Sequence, residues 1–217
     1  WMRPKIVKVC GITRSEDIRI CQDAGTDALG FIFHPSSPRN LSIEQYERLI
    51  AEINFESTCK VAVAVTPDTS RVCEFIEAGF DKFQFHFPSG FSLDKIAEWS
   101  ALVGRANLWL APRLSKVDNF CLEYLTFAKS ILMDAYTIDA YGGTGKHADW
   151  ERFKRLRVDH PGYQWILAGG LGPDTLNEAI RQAEPDGIDL NSGLESSPGI
   201  KDADKIKAVF NLLSKKI

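Results

Sequence analysis

Two residues capable of acid–base chemistry stand at the ends of short apolar runs. Cys10 ends the run at residues 6–10, and Asp134 directly follows the run at residues 131–133. A thiol has a pKa of about 8.5, and a cationic neighbour lowers it, so that a thiolate can accept a proton at neutral pH. Facing each other, the two side chains would supply one proton acceptor and one donor, which an isomerisation requires.

Both residues also have a structural interpretation, which stays open here. A free cysteine is most often a small buried hydrophobe, and an acid after a strand can cap a loop. Burial of that kind is what we expect of the other four cysteines, Cys21, Cys59, Cys73 and Cys121. Asp139 competes with Asp134 for the acid role, but it lies further along the loop, where a side chain is positioned less firmly.

Small residues follow two later apolar runs in a pattern typical of a phosphate site. Gly169 and Gly170 come after residues 165–168, and Asn191, Ser192 and Gly193 come after residues 188–190. Backbone N–H groups reach a phosphate only where no Cβ intervenes. Gly and Asn also serve ordinary tight turns, so each segment alone is weak, whereas the two together favour phosphate binding.

The remaining polar candidates are an arginine and the histidines. Arg39 follows a Ser-Pro turn, where it is either a solvated loop charge or a bidentate partner for a carboxylate or phosphate. His86 lies near the end of an apolar run and lines a pocket or packs in the wall. The four histidines show no ligand spacing, so we expect no metal site.

The elements that must position these residues alternate along the chain. Eight apolar runs lie at residues 6–10, 28–33, 61–65, 83–87, 108–111, 131–133, 165–168 and 188–190. They lack polar alternation, which suits parallel strands covered on both faces. Segments with helical periodicity separate them, and capping boxes at Thr13 with Glu16 and at Ser42 with Gln45 predict two helix starts.

Eight strand–helix units predict a (β/α)8 TIM barrel, an α/β fold, formed by residues 1–217 as a single domain. The alternative is an open doubly wound sheet, but no G-x-G-x-x-G follows the first strand. In such a barrel the active site lies at the carboxyl ends of the strands, where the residues above would converge.

Charge, hydropathy and cysteine content indicate which kinds of partner and which compartment to expect. The chain has 26 basic and 29 acidic residues, a net charge of -3, so nucleic acid is not expected as a partner. No apolar stretch is long enough to span a bilayer and no signal peptide is visible, so we expect no membrane association. Five cysteines without a C-x-x-C pair indicate a reducing compartment, the cytoplasm. Monomer and homodimer both remain open.

The chain resembles the phosphoribosylanthranilate isomerase family of tryptophan biosynthesis. The resemblance rests on motifs ordered as the family orders them, at residues 8–13, 37–39, 142–146, 149–150, 167–171, 189–195 and 198–202. It implies an Amadori rearrangement of N-(5-phosphoribosyl)anthranilate without metal or nicotinamide cofactor. In this resemblance Cys10 matches the base and Asp134 the acid, and the partner is a phosphorylated small molecule.

The resemblance also implies binding positions. Arg39 and Asp189 match substrate-binding residues, and the phosphate is expected on the loops around Gly143, Gly170 and Gly193, with Gly145 beside them. The family usually has Gln-Leu-His-Gly where this chain has Gln-Phe-His-Phe at residues 84–87. Two alternatives stay open: another phosphosugar isomerase or epimerase of the barrel class, and a barrel that binds phosphate without catalytic activity.

Overall fold

Eight strands form the centre of the computed structural model, which describes residues 3–115, 117–134 and 149–214. In chain order the strands are β1 (Ile6–Val9), β2 (Ala28–Phe33), β3 (Cys59–Val65), β4 (Lys82–Pro88), β5 (Leu108–Arg113), β6 (Ser130–Asp134), β7 (Gln164–Ala168) and β8 (Gly187–Leu190). Each strand pairs in parallel with the next, and β8 returns to pair with β1. The predicted (β/α)8 barrel is therefore confirmed, and the open sheet is excluded because these eight strands close on themselves.

Helices connect the strands on the outside of the barrel. Within the described residues they are α1 (Ser15–Ala24), α2 (Ile43–Ile50), α3 (Thr69–Glu77), α4 (Leu93–Val103), α5 (Tyr124–Phe127), α6 (Trp150–Asp159), α7 (Leu176–Ala183) and α8 (Ala203–Ser214). The fifth is a single turn, so one strand–helix unit is much reduced. No helix in this part of the chain is both long and apolar enough to cross a bilayer.

One predicted helix start is confirmed and one is wrong. The Ser42 side chain accepts from the Gln45 backbone N–H, and the Gln45 side chain accepts from the Ser42 N–H, which completes the capping box of α2. At α1 the N-cap residue is Arg14, without a side-chain cap. Thr13 lies one residue before this N-cap and donates its hydroxyl hydrogen to the Gly199 carbonyl at 2.5 Å, so its side chain joins two loops rather than capping the helix.

The barrel has an inner and an outer core. Large apolar side chains between the strands and the helices form the outer core. The inner core contains Val61, Val63, Trp109, Leu132 and Ile166, together with Cys10 and three alanines. Cys10 therefore faces the barrel interior rather than the helices. The expected burial of the other four cysteines is confirmed for Cys21 but is wrong for Cys59, which begins β3 and is exposed, while Cys73 and Cys121 are half-buried.

A short hairpin closes part of the mouth after β8. A 3-10 turn at Ser192–Leu194 leads into β9 (Glu195–Ser197), which pairs antiparallel with β10 (Ile200–Lys201). The hairpin carries buried charges, because Glu195 and Lys201 are 6% and 5% exposed.

Candidate active site

A cleft runs across the carboxyl ends of the strands. One part is a cavity of about 470 Å³, a volume suited to a small ligand. Its polar or glycine lining consists of Cys10, Gln84, His86, Asp134, Gly169, Gly170, Asp189, Asn191, Ser192 and Gly193. An adjoining cavity of about 610 Å³ shares Ile32, Val63, His86, Leu132 and Asp134 with it. The two cavities therefore form one elongated cleft.

Cys10 lies directly after β1 at the bottom of this cleft. Its backbone N–H donates to the Leu190 carbonyl at 2.7 Å, which continues the pairing of β1 with β8 beyond the strand ends. The side chain is only 4% exposed. Burial raises the pKa of the Cys10 thiol, and the nearby Lys8 ammonium acts in the opposite direction.

Asp134 is the last residue of β6, where it lies opposite Ala168 of β7. Unlike Cys10 it is exposed, and it lines both cavities. β7 and β8 separate β6 from β1 in the barrel, so the carboxylate and the thiol approach the cleft from different sides. The structure thus brings the two predicted acid–base residues to one cavity, while their catalytic roles stay predictions. Asp139 lies outside the described residues.

Asp189 forms an ion pair inside the barrel. Its Oδ1 lies 2.8 Å from the Nζ of Lys8, and the side chains are 9% and 0% exposed. Asp189 and Lys8 are paired residues of β8 and β1, so the closure of the barrel places them side by side. Burial would lower the pKa of Lys8, but the charges and hydrogen bonds of Asp189 and Cys10 together outweigh it and raise that pKa, so Lys8 is charged. Asp189 also lines the cavity, and its contact with a substrate stays a prediction.

Arg39 pairs with a carboxylate of the protein itself. Its Nε and Nη2 donate to the two carboxylate oxygens of Glu195 at 2.8 and 2.5 Å. The sequence left open whether Arg39 is a solvated loop charge or a bidentate partner. In the structure it is a bidentate partner of a carboxylate. Arg39 does not belong to the lining of either cavity. Direct binding of a substrate by Arg39 stays a prediction.

Glu195 is held by a second cation as well. Lys201 donates to its Oε1 at 2.9 Å, and the Gly199 backbone N–H donates to the same oxygen at 3.2 Å. Burial alone would raise the pKa of Glu195, but the bonds and charges of Arg39 and Lys201 outweigh it and lower that pKa to about 2. Lys201 also donates to the Asn191 side-chain oxygen at 3.1 Å, which ties this network to the cleft.

Close packing beside this network requires a glycine. A Cβ at Gly11 would lie 2.5 Å from Cδ of Arg39 and 2.7 Å from Oδ1 of Asn191, and its φ of +74° is one that side chains rarely adopt. The loop after β1 therefore fits against the loops after β2 and β8 only without a side chain at this position.

The predicted phosphate loops meet at one end of the cavity. Gly169 and Gly170 both have positive φ, 98° and 60°. A Cβ at Gly193 would collide with the Leu171 carbonyl oxygen, so the loops after β7 and β8 touch through backbone. The structure brings together Gly169, Gly170, Asn191, Ser192 and Gly193. Gly143 and Gly145 lie outside the described residues.

His86 lines both cavities, as one of its two interpretations predicts. Burial, and then the charges of Lys8, Arg113 and His34, lower the pKa of His86 to about 4. The ring is therefore neutral at physiological pH. Its Nε2 accepts a hydrogen bond from Nε2 of Gln84 at 2.9 Å, because an amide nitrogen can only donate.

Sequence reasoning missed Lys8, Gln84, Glu195 and Lys201. A signal existed for Lys8, because a charged residue two positions before Cys10 shares its face of the strand. No local signal marked Glu195 or Lys201, because their burial depends on the β9–β10 hairpin and on the approach of Arg39 from the distant loop after β2.

The fold and the cleft define a (β/α)8 barrel that presents a thiol, a carboxylate and two glycine loops to one ligand-sized cavity. Residues 7–212 match the family model for N-(5'phosphoribosyl)anthranilate (PRA) isomerase. The chain belongs to this family, which confirms the resemblance seen in its motifs.

Similarity to individual proteins of this family supports the same assignment. The N-(5'-phosphoribosyl)anthranilate isomerase of Aquifex aeolicus is 34% identical over 201 residues, which cover 93% of this chain and 94% of the relative. The crystal structure of TrpF from Jonesia denitrificans is 32% identical, with a TM-score of 0.78 and 96% of both chains covered. A phosphoribosyl anthranilate isomerase solved in complex with reduced 1-(o-carboxyphenylamino)-1-deoxyribulose 5-phosphate is 26% identical, with a TM-score of 0.76, covering 95% of this chain and 96% of that one.

Proposed function

We propose that this protein is an aldose–ketose isomerase that converts N-(5-phosphoribosyl)anthranilate into 1-(2-carboxyphenylamino)-1-deoxyribulose 5-phosphate. One observation carries the proposal: in a chain of this family, Cys10, Asp134 and the two glycine loops line a single cavity. The solved relative in complex with a reduced form of that product supports the choice of substrate.

The proposed reaction needs one acid and one base. Asp134 donates a proton to the furanose ring oxygen, and the bond between that oxygen and C1′ breaks to leave an iminium ion. The iminium acidifies the C2′ proton, which the Cys10 thiolate removes to give an enolamine. Tautomerisation of the enol then yields the ketone at C2′.

The protonation state of Cys10 limits this reaction. Because burial raises the pKa of the thiol, the thiolate is the minor form near neutral pH. The rate should therefore rise with pH until the thiol has titrated. Cations beside the sulfur set how much thiolate is present at a given pH.

For the phosphate we propose the backbone N–H groups of the loops after β7 and β8. A phosphorylated product analogue should raise the melting temperature through binding to the folded state, and its dephosphorylated counterpart should do so far less. Gly170→Val should reduce this stabilisation by the phosphorylated analogue. Gly162→Val is the matched control, since Gly162 also has positive φ, 91°, with no heavy atom near its absent Cβ.

Both glycine variants are compared with their own unliganded melting temperatures, because a side chain at positive φ strains the turn. If Gly170→Val folds and still responds to the phosphorylated analogue as the control does, the phosphate does not bind at this loop. Gly193→Val is unsuitable, because its side chain would displace the backbone of Leu171.

Turnover tests the whole proposal. The purified protein is mixed with freshly generated N-(5-phosphoribosyl)anthranilate, and the product is measured against Cys10→Ala. Turnover by the wild type alone supports the proposal. Binding of the phosphorylated analogue without turnover would favour a non-catalytic barrel. Turnover of a different phosphosugar in its place would favour another isomerase or epimerase.

We also propose that residues 1–217 act as one domain in the cytoplasm. The pairing of β8 with β1 joins both halves of the sequence in one barrel. All five cysteines are free thiols, as in proteins of a reducing compartment. A single unfolding transition, seen by two spectroscopic probes, would support the single domain.

A further inference from the structure

Lys8 is a charged side chain in the inner core of the barrel, where branched apolar residues normally pack. It is fully buried, and it precedes Cys10 by two residues, so the two side chains lie on the same face of β1. The acid–base mechanism proposed above assigns Lys8 no role. A buried cation next to the proposed base therefore requires an explanation.

The position of Lys8 is fixed from two directions. Asp189 on the neighbouring strand accepts from its Nζ at 2.8 Å. On the other side Gly30 of β2 leaves the space in which Lys8 and Cys10 meet. A Cβ at Gly30 would lie 2.7 Å from the Cys10 Sγ, 2.9 Å from the Lys8 Cε and 3.0 Å from the Lys8 Nζ. The ammonium and the sulfur thus border the same small space.

The other titratable groups around Cys10 favour the thiolate less than Lys8 does. Lys201 on β10 and Arg39 after β2 share the single carboxylate of Glu195, and the effect of Lys201 on the thiol pKa is smaller than that of Lys8. His86 on β4 is neutral at physiological pH because its pKa is lowered to about 4. Asp189 on β8 opposes thiolate formation, but its effect on the thiol pKa is smaller than that of Lys8.

We propose that Lys8 is a positioning residue that stabilises the thiolate of Cys10, and that Asp189 holds the Lys8 ammonium beside the sulfur. This inference rests on the proposed function, in which the Cys10 thiolate is the base. The burial of Cys10 excludes water that would otherwise solvate the thiolate. The Lys8 charge replaces part of that solvation.

The test measures the thiolate directly. Iodoacetamide alkylates thiolates, and peptide mass spectrometry reports the rate at Cys10 separately from the rate at exposed Cys59. Rates are measured across pH in the wild type, in K8M and in K5M. Lys5 is exposed near the opposite end of β1, so K5M removes the same charge far from the sulfur.

In K8M the midpoint of alkylation at Cys10 should rise by about one to two pH units, with a rate about ten- to a hundredfold lower at neutral pH. K5M should match the wild type, and Cys59 should react equally in all three proteins. K8M leaves the buried Asp189 without its partner, so K8M/D189N, which leaves no unpaired charge, is measured beside it. The double variant should also show a raised midpoint, because the effect of Lys8 exceeds that of Asp189.

An unchanged midpoint in a folded K8M or K8M/D189N protein would overturn the proposal and leave the ion pair a structural role alone. The alkylation result does not depend on turnover. A raised midpoint in a protein without isomerase activity would therefore support the role of Lys8 and refute the proposed function separately. Where turnover is present, the rising limb of its pH profile should move with the alkylation midpoint.

Discussion

Replacement of Glu195 by glutamine should make the stability of the protein less sensitive to acid. The carboxylate accepts from two guanidinium nitrogens of Arg39, from Lys201 and from the Gly199 backbone N–H. Its side chain is only 4% exposed, so solvent screens these interactions little. Glutamine has nearly the same shape as the protonated acid, and it therefore mimics the state that the folded protein disfavours.

The magnitude follows from the pKa of Glu195, which is about 2 in the folded protein against an ordinary value of 4.5. A pKa lowered by folding contributes stability that is present above the ordinary pKa and is lost as pH falls toward the folded value. The full contribution is about 3 kcal/mol. At about pH 3.5 about 1.4 kcal/mol of it should already be lost, so that about 2 kcal/mol remains.

Urea denaturation of both proteins at about pH 7 and about pH 3.5 measures this. E195Q should be less stable than the wild type by about 3 kcal/mol at the higher pH and by about 2 kcal/mol at the lower. Glu52→Gln, at an exposed residue of the loop after α2, controls for the loss of one negative charge. A gap between E195Q and the wild type that does not narrow on acidification would refute the assigned ionic network.

Three further predictions concern the cleft. Cys10→Ala should fold normally and lose about 10²- to 10⁴-fold in kcat. Cys21→Ala removes a buried thiol outside the cleft and should keep the wild-type kcat. Near wild-type turnover of Cys10→Ala would exclude Cys10 as the base. Asp134→Asn should lose a similar factor in kcat and Asp139→Asn should not, and the reverse result in steady-state kinetics would show that the acid is Asp139. Gly30→Ala should lower kcat about tenfold or more, because the added Cβ must displace the buried side chain of Cys10 or Lys8. Unchanged kinetics in a folded variant would show that the reaction does not require the space that Gly30 leaves beside these two side chains.

The order of the elements and the location of the cleft follow from the apolar pattern of the chain. Each predicted apolar run is a barrel strand, because a parallel strand covered on both faces needs a continuous apolar run that local composition reveals. Since strand ends are set by those runs, the sequence alone places Cys10 and Asp134 at the mouth of the barrel. The same holds for Gly169, Gly170 and the segment 191–193.

The pairing of the buried charges cannot be read from the local sequence, because it arises when the barrel closes. Lys8 and Asp189 are 181 residues apart, and Arg39 and Glu195 are 156 apart. Such pairs depend on the register in which β8 closes against β1 and on the meeting of loops at the mouth. The failed cap at Thr13 has the same origin, since its hydroxyl bonds to Gly199 from the far end of the chain. Periodicity encodes which face of a strand is buried, but the partner of a buried charge is fixed only when the barrel closes.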